Sequence, residues 1–184
     1  MNISETVAKR KSVRAYLDKQ VLTNDLTKIV EAGQWAPNAG AFQMTVIRNT
    51  VLRQKIDDLA YDTMVNSGIE FLQQRASLPG YRPLYGAPVL ILLSGPTDNP
   101  YSAFNVALAA ENMLLEATGL GLGSCFLISP TLALNGKENL ALAQEAGIPD
   151  SYTLQCAIIV GYAAAENKFH VGERTRKGTV NYLD

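Results

Sequence analysis

Histidine occurs once in the 184 residues and cysteine twice. A His-Glu-x-x-His zinc site needs two histidines and a four-thiolate zinc or iron–sulfur centre needs four cysteines, so the expectation is a protein without a metal. A Ser-His-Asp or Cys-His device would have to recruit His170, which sits in a polar tail near Lys168, and no nucleophile-elbow motif occurs anywhere. Cys125 and Cys156 are too few for a disulfide scaffold and are expected as buried thiols in strands. Long apolar runs are missing as well: the longest, from Pro88 to Leu93, falls far short of the ~20 residues of a membrane span. The start, Met1-Asn2-Ile3-Ser4-Glu5, lacks the basic-then-apolar order of a signal peptide, so a cytoplasmic location is expected.

Net charge is small too, with 16 Lys+Arg against 17 Asp+Glu. Together with a hydrophobic content of 47% this suits one globular domain over residues 1–184 with a sizeable core. The near-neutral total and the lack of an aromatic-plus-basic stripe argue against a nucleic-acid surface. The charge is nevertheless uneven. Residues 1–20 carry Lys9, Arg10, Lys11, Arg14 and Lys19 against Glu5 and Asp18, a local +3, whereas residues 95–165 carry Lys137 alone against six acids, a local −5. So compact a basic cluster suits a small anion.

The apolar pattern predicts a short helix over Ile3 to Lys9 opened by Ser4 and a longer one capped by Thr23. The second carries Leu26, Ile29, Val30 and Gly33 on one stripe and stops before Pro37. Gln43 to Asn49 reads as a strand, 51–66 as a polar helix, and the stretch through Pro79, Gly80, Arg82 and Pro83 as a loop. Pro88 to Leu93 reads as a strand buried on both faces in the middle of the sheet. Ser102 precedes an Ala-rich helix over 103–118, with Ala103, Ala107 and Ala110 on one side and Gly119 ending it. Cys125 to Ile128 is a short strand, Lys137 to Ala146 a helix and Tyr152 to Val160 a final buried strand. This alternation indicates an α+β sandwich, an α/β arrangement of one sheet with helices. Trp35 and Phe126 are expected in the core.

Four segments could carry chemistry. Arg10-Lys11-Ser12-Val13-Arg14 places three cations and a hydroxyl within five residues. If extended, residues 10, 12 and 14 share one side and could converge on a phosphate or a polarised ring oxygen; a solvated basic segment is the competing reading. Ala36-Pro37-Asn38-Ala39-Gly40-Ala41-Phe42-Gln43 is a turn of small residues ahead of a strand, suited to close backbone approach or simply to a connection. Gly119-Leu120-Gly121-Leu122-Gly123-Ser124 follows a helix and opens a strand, the reverse of a dinucleotide fingerprint, and so reads as a helix C-cap and tight turn. Arg174-Thr175-Arg176-Lys177 is a second basic cluster in the tail.

These segments, taken in order with the Ala-rich helix ending Gly-Leu-Gly-Leu-Gly-Ser-Cys and with Val160-Gly161-Tyr162, resemble the nitroreductase-like FMN flavoproteins over nearly the whole chain. The resemblance implies a homodimer with a central mixed, largely antiparallel sheet flanked by helices, an extended C-terminal tail and FMN at the subunit interface. It implies that Arg10, Lys11 and Ser12 hold the phosphate and ribityl chain, that Arg174 and Arg176 complete the phosphate site, and that Arg14 faces the pyrimidine edge. Pro37, Asn38, Ala39 and Ala41 would border the ring from the partner, Gln43 would reach its polar side, and Ile128 and Ser129 would bring backbone amides to the N5 edge. The chemistry would be carried by FMN, with no catalytic side chain. The implied activity moves hydride from NADH or NADPH to a small planar acceptor such as a nitroaromatic or quinone, by a ping-pong mechanism. Two further readings stand beside it: a flavin-binding protein without efficient turnover, serving as store, sensor or redox partner, and a generic anion-binding module. The chain departs from the family pattern at Ala41, where Asn is usual, and at Met44-Thr45, where Pro and an aromatic are common.

Overall fold

Asn2, rather than Ser4, opens the first helix of the chain. In the computed structural model, which describes residues 2–166, 169 and 175–183, α1 (Ile3–Lys9) begins with a capping box. The Asn2 side chain accepts from the Glu5 N–H while Glu5 reaches back to the Asn2 N–H. A reciprocal pair satisfies two orphan donors where Ser4 alone would satisfy one. Thr23 likewise lies inside its helix, α2 (Thr23–Gln34), and Leu22 is the N-cap. The strand after the small-residue turn, β1 (Gln43–Ile47), stops short of Asn49 because that residue caps α3 (Thr50–Val65), its side chain accepting from the Leu52 N–H.

The stretch through Pro79, Gly80, Arg82 and Pro83 is a loop, as expected, and ahead of it stands a helix that the pattern did not predict, α4 (Glu70–Ala76); β2 (Val89–Pro96) follows. Next comes α5 (Ser102–Gly119), whose N-cap is Tyr101; the Ser102 hydroxyl donates instead to the Pro96 carbonyl. Gly119 is the last helical residue, as expected, but the residue that turns the chain is Gly121. Gly121 takes the left-handed conformation at φ +76°, its N–H donates to the Thr118 carbonyl, and the Leu122 N–H donates to the Ala117 carbonyl. That is a Schellman stop, the C-cap and turn expected of the glycine run. Then follow β3 (Gly123–Leu127), α6 (Ser129–Leu134), a single 3₁₀ turn at Lys137–Asn139, α7 (Leu140–Glu145) and β4 (Tyr152–Gly161). Among the described residues no helix is long and apolar enough to cross a membrane.

The sheet order is β1-β2-β4-β3, and every strand pairing is antiparallel. The parallel component expected of a mixed sheet is confined to one bridge, Ser12 to Ser124. β2 sits inside, and Val89 through Leu93 are fully buried, as a continuous apolar run demands. Val89, Ile91 and Leu93 face the layer of α2 and α5, whereas Leu90 and Leu92 face the layer of α3, α6 and α7. On β4 the faces switch between Leu154 and Cys156, because the β2–β4 register shifts at Leu93/Ser94 and admits Gln155 as an extra residue. Both cysteines are buried strand thiols, as expected, and burial pushes Cys156 up to about 12. Trp35 does not join the core. It caps the end of α2 at 85% exposed, and Phe126 is also exposed.

Two charged residues of α3 clamp the turn that leads into β2. The Asp57 carboxylate accepts from the buried Leu84 N–H at 2.7 Å and from Arg82 Nε at 2.6 Å, and Arg53 donates to the Ala87 carbonyl. Between these anchors Tyr85 is forced to φ +51°, strained for a bulky side chain, and Gly86 follows at +70°. Replacing Asp57 by Ala should therefore lower the unfolding free energy by about 2–3 kcal/mol, since the Leu84 N–H is left buried and unpaired. Asp58→Ala, which removes an exposed carboxylate bonded to Arg82 and Gln54, should cost less than about 1 kcal/mol. Urea unfolding of the two variants side by side measures the difference.

Candidate functional site

The basic segment near the N-terminus is extended, as its alternation predicts. Arg10 caps α1, its N–H donating to the Thr6 carbonyl at 2.9 Å. From there the chain runs along the sheet. Ser12 bridges Ser124, the Val13 N–H donates to the Ser124 carbonyl at 2.8 Å, and Tyr16 bridges Ala163 just past β4. Val13 turns inward and is buried. A Cβ on Gly123 would stand 2.9 Å from Val13 Cγ1, so the third glycine of the run is what admits this segment.

Arg10, Ser12 and Arg14, on one side of the extended segment, all bear on the Cys125 thiol of β3. Burial raises that thiol above its ordinary range, and the charges of Arg14 and Arg10 together with a hydrogen bond from Ser12 pull against the rise. Tyr16 lies in the same neighbourhood: burial raises its phenol well above normal, and its hydroxyl donates to the Val13 carbonyl at 2.7 Å. Lys11 is exposed, turned away by the alternation of the extended backbone. Arg10 also faces Glu111 of α5, with Nε 3.8 Å from Oε1.

The small-residue turn is held by two asparagines. The Ala39 N–H donates to Asn105 Oδ1 at 2.8 Å and Asn99 Nδ2 donates to the Ala39 carbonyl at 3.2 Å, fixing the peptide groups on both sides of Ala39. Gly40, at φ +111°, has Asn99 Nδ2 where a Cβ would go. Pro37, Asn38, Ala39 and Ala41 are exposed on this frame. Asn105 and Glu111 project from α5 about 120° apart, since six residues turn a helix through roughly 600°. One chain therefore carries the turn and the cations on different sides of α5.

Gln43 stands at the start of β1, where its amide nitrogen donates to Thr45 Oγ1 at 3.0 Å and to the Gly147 carbonyl. Only its oxygen is left for a ligand. Ile128 is the exposed residue that begins α6, and Ser129 is the first residue of that helix, which no side chain caps. Arg174 lies outside the described residues. Arg176, with Thr175 and Lys177, lines a groove of about 960 Å³ against Ile3, Ser4, Val7 and Ala8 of α1, the helix that Arg10 caps.

Several neighbours of this site have no signature in the sequence. Arg75 of α4 donates to the Tyr85 hydroxyl at 2.9 Å, and its charge also reaches Cys125. The left-handed Tyr85 is set by its clamp and not by its own propensity. Glu111 is legible in one respect: it is an acid on a helix without a single cation, so its partner had to come from elsewhere. Two buried polar atoms near the site, Ser124 Oγ and Asn105 Nδ2, lack a hydrogen-bond partner among the described residues.

Known proteins share this architecture. A crystal structure of a nitroreductase with bound FMN from Bacteroides fragilis is 30% identical, with a TM-score of 0.87 and 100% of each chain covered. A second nitroreductase with bound FMN, from Desulfitobacterium hafniense, shares the fold at a TM-score of 0.82 and 23% identity over 98% of this chain and 100% of that one. A protein of Archaeoglobus fulgidus that carries the provisional name NADH dehydrogenase/NAD(P)H nitroreductase is 27% identical over 169 residues, 88% of this chain and 85% of its own length. The family model described as the Nitroreductase family matches residues 7–162, a span that runs from α1 through every strand of the sheet, and the chain belongs to that family.

Proposed function

We propose that this chain is an FMN-dependent oxidoreductase that accepts hydride from NADH or NADPH and reduces a small planar acceptor, a nitroaromatic or quinone, in a ping-pong sequence. The observation that carries this reading is that Arg10, Ser12 and Arg14, on one side of the extended segment, all bear on the Cys125 thiol of β3. The full-length likeness to the FMN-containing Bacteroides fragilis protein supports it. The donor set fits such a group: two guanidinium forks suit a phosphate and a polarised ring carbonyl. Ser124 Oγ adds to the fit, because a buried hydroxyl is normally hydrogen-bonded and this one is left over beside Ser12.

When bound, FMN supplies the hydride chemistry, and no side chain need act as a nucleophile. Arg10 and Ser12 would hold the phosphate and ribityl chain, with Arg176 and Arg174 joining from the tail and Lys11, on the other side of the extended segment, adding its charge from outside. Arg14 sets a cation at the pyrimidine edge, where it favours added negative charge. Ile128 and Ser129 present backbone amides toward the N5 edge. Pro37, Asn38, Ala39, Ala41 and Gln43 border the ring from a second copy of the chain. A homodimer fits the placement of turn and cations on different sides of α5. It also fits the apolar surface left open on α1 and α5, where Ile3, Val7, Phe104 and Leu108 are all exposed.

An absorbance spectrum of the purified protein should show flavin bands that bleach on anaerobic addition of NADH or NADPH, and initial rates with an acceptor should give parallel double-reciprocal lines. Bands that persist under both donors would favour the flavin-binding protein without turnover, which the missing amide at Ala41 supports. Arg10→Ala should weaken FMN binding by about 1.5–3 kcal/mol, roughly ten- to a hundredfold, in a fluorescence titration. Phe104→Glu, a change at a residue 67% exposed in one chain, should leave the fold intact yet convert the dimer to a monomer in light scattering, with loss of flavin.

A further inference from the structure

Arg75 is a cation whose partners are all neutral. It stands on α4, where its neighbours one turn back, Phe71 and Leu72, carry no charge. Its guanidinium donates to the Tyr85 hydroxyl at 2.9 Å and lies over two rings, the central carbon 5.2 Å from the centre of Tyr81 and 5.8 Å from that of Phe169. Ring faces attract a guanidinium without neutralising it, and among the described residues Arg75 makes no ion pair. Arg82, on the turn that follows, shows the contrast, since both Asp57 and Asp58 meet it. The mount of Arg75 is rigid. Tyr85 is held at φ +51° by the clamp on its neighbours, and its ring packs 5.6 Å from Tyr81 and 5.6 Å from Phe169. Arg75, Tyr85 and Phe169 are each half-buried, which leaves the cation and two ring surfaces within reach of a ligand. The charge of Arg75 is felt at Cys125, the thiol on which the N-terminal cations also bear.

We propose that Arg75, on its aromatic mount, recognises an anionic substituent on the acceptor, so that the favoured acceptors are planar aromatic rings carrying a carboxylate. The inference deepens the flavin reading above and rests on it. The cations that reading assigns to FMN come from the N-terminal segment and the tail, whereas Arg75 comes from α4 and has no part in holding the cofactor. A carboxylate meeting a half-buried guanidinium forms charge-assisted hydrogen bonds, stronger than those between neutral groups. The rings of Tyr85 and Phe169 suit the aromatic body that carries the acid. A small planar acid thus uses both the charge and the rings of this mount, whereas the ribose phosphate of NADPH would use the charge alone. Tyr85 is a positioning residue here, because its hydroxyl accepts from Arg75 and fixes the direction of the guanidinium.

The test uses two acceptors of like shape, para-nitrobenzoate and its neutral amide, para-nitrobenzamide. Their dissociation constants for the oxidised, FMN-loaded protein are read from the perturbation of the flavin absorbance, and kcat/KM for each is measured alongside. The wild-type protein should bind the acid more tightly than the amide, and Arg75→Gln should lower that preference roughly tenfold or more, in binding and in kcat/KM alike. Arg75→Lys, which keeps the charge but not the fork, should retain part of the preference. Tyr85→Phe, which keeps the ring and removes only the hydroxyl, should lower it by a smaller factor in the same direction. Wild-type protein that binds acid and amide alike overturns the inference, as does an Arg75→Gln protein with the wild-type ratio, whether both affinities hold or both fall together. A change confined to NADPH relative to NADH also overturns it and assigns Arg75 to the ribose phosphate. Protein that takes up no FMN overturns the flavin reading itself, and this inference with it, whereas an FMN-loaded protein whose acid preference is indifferent to Arg75 overturns this inference alone.

Discussion

Val13 lies on Gly123 with no space for a Cβ between them, and the placement of the cations follows from that contact. The close approach lets Ser12 and Val13 bond to the backbone of Ser124, and this pairing sets the alternation that puts Arg10, Ser12 and Arg14 on the side of Cys125. A side chain at position 123 would push the segment off the sheet by a few tenths of an ångström or more and would disturb both hydrogen bonding and register. A polar cradle is thus built on an apolar contact. The Schellman stop at Gly121 serves the same end, because it delivers the chain from α5 into β3 at the point where Val13 can cover it.

α5 is the ruler for the rest. It buries Val106, Ala109, Ala110, Met113, Leu114 and Ala117 against the sheet and α2, which fixes its position, and it then spends its polar residues on the site. Asn105 holds the turn and Glu111 faces Arg10. Gly33 of α2 allows Met113 and Met44 to fill the space beside it, so α2 and the Pro37 turn that follows it are positioned by the same helix. The turn and the cations are thus referenced to one rigid element but point different ways.

Long, strongly patterned elements were legible in the sequence. β2 is legible because burial on both faces leaves a continuous apolar run, and α5 because its 18 residues hold no cation and only two acids, Glu111 and Glu116. The cation cluster was legible from spacing alone, since extended backbone places residues 10, 12 and 14 together. Short elements were not. α4 and α6, seven and six residues long, complete too few turns to show a period, and both are stabilised by what they pack against. Trp35 misled for another reason: an apolar residue left exposed at a helix end has the same sequence signature as one in the core. The strained Tyr85 was invisible because its conformation is imposed by Asp57 and Arg53, nearly thirty or more positions away in the chain.

The electrostatics of the cradle leave one requirement unmet inside it. Arg10, Arg14 and Arg75 all bear on Cys125, the natural place for a compensating negative charge. Burial dominates, however, and keeps that thiol protonated through the physiological range, so it cannot serve as their anion. Tyr16 fails for the same reason, its phenol held neutral by desolvation. Glu111 faces Arg10 from 3.8 Å and stands half in water, where solvent screening leaves it little hold. Neither the thiol nor the phenol neutralises the cations that bear on this spot of the sheet. Under the proposed reading an anion bound there would also hold the first sixteen residues against the sheet, so ligand binding and folding stability would be coupled.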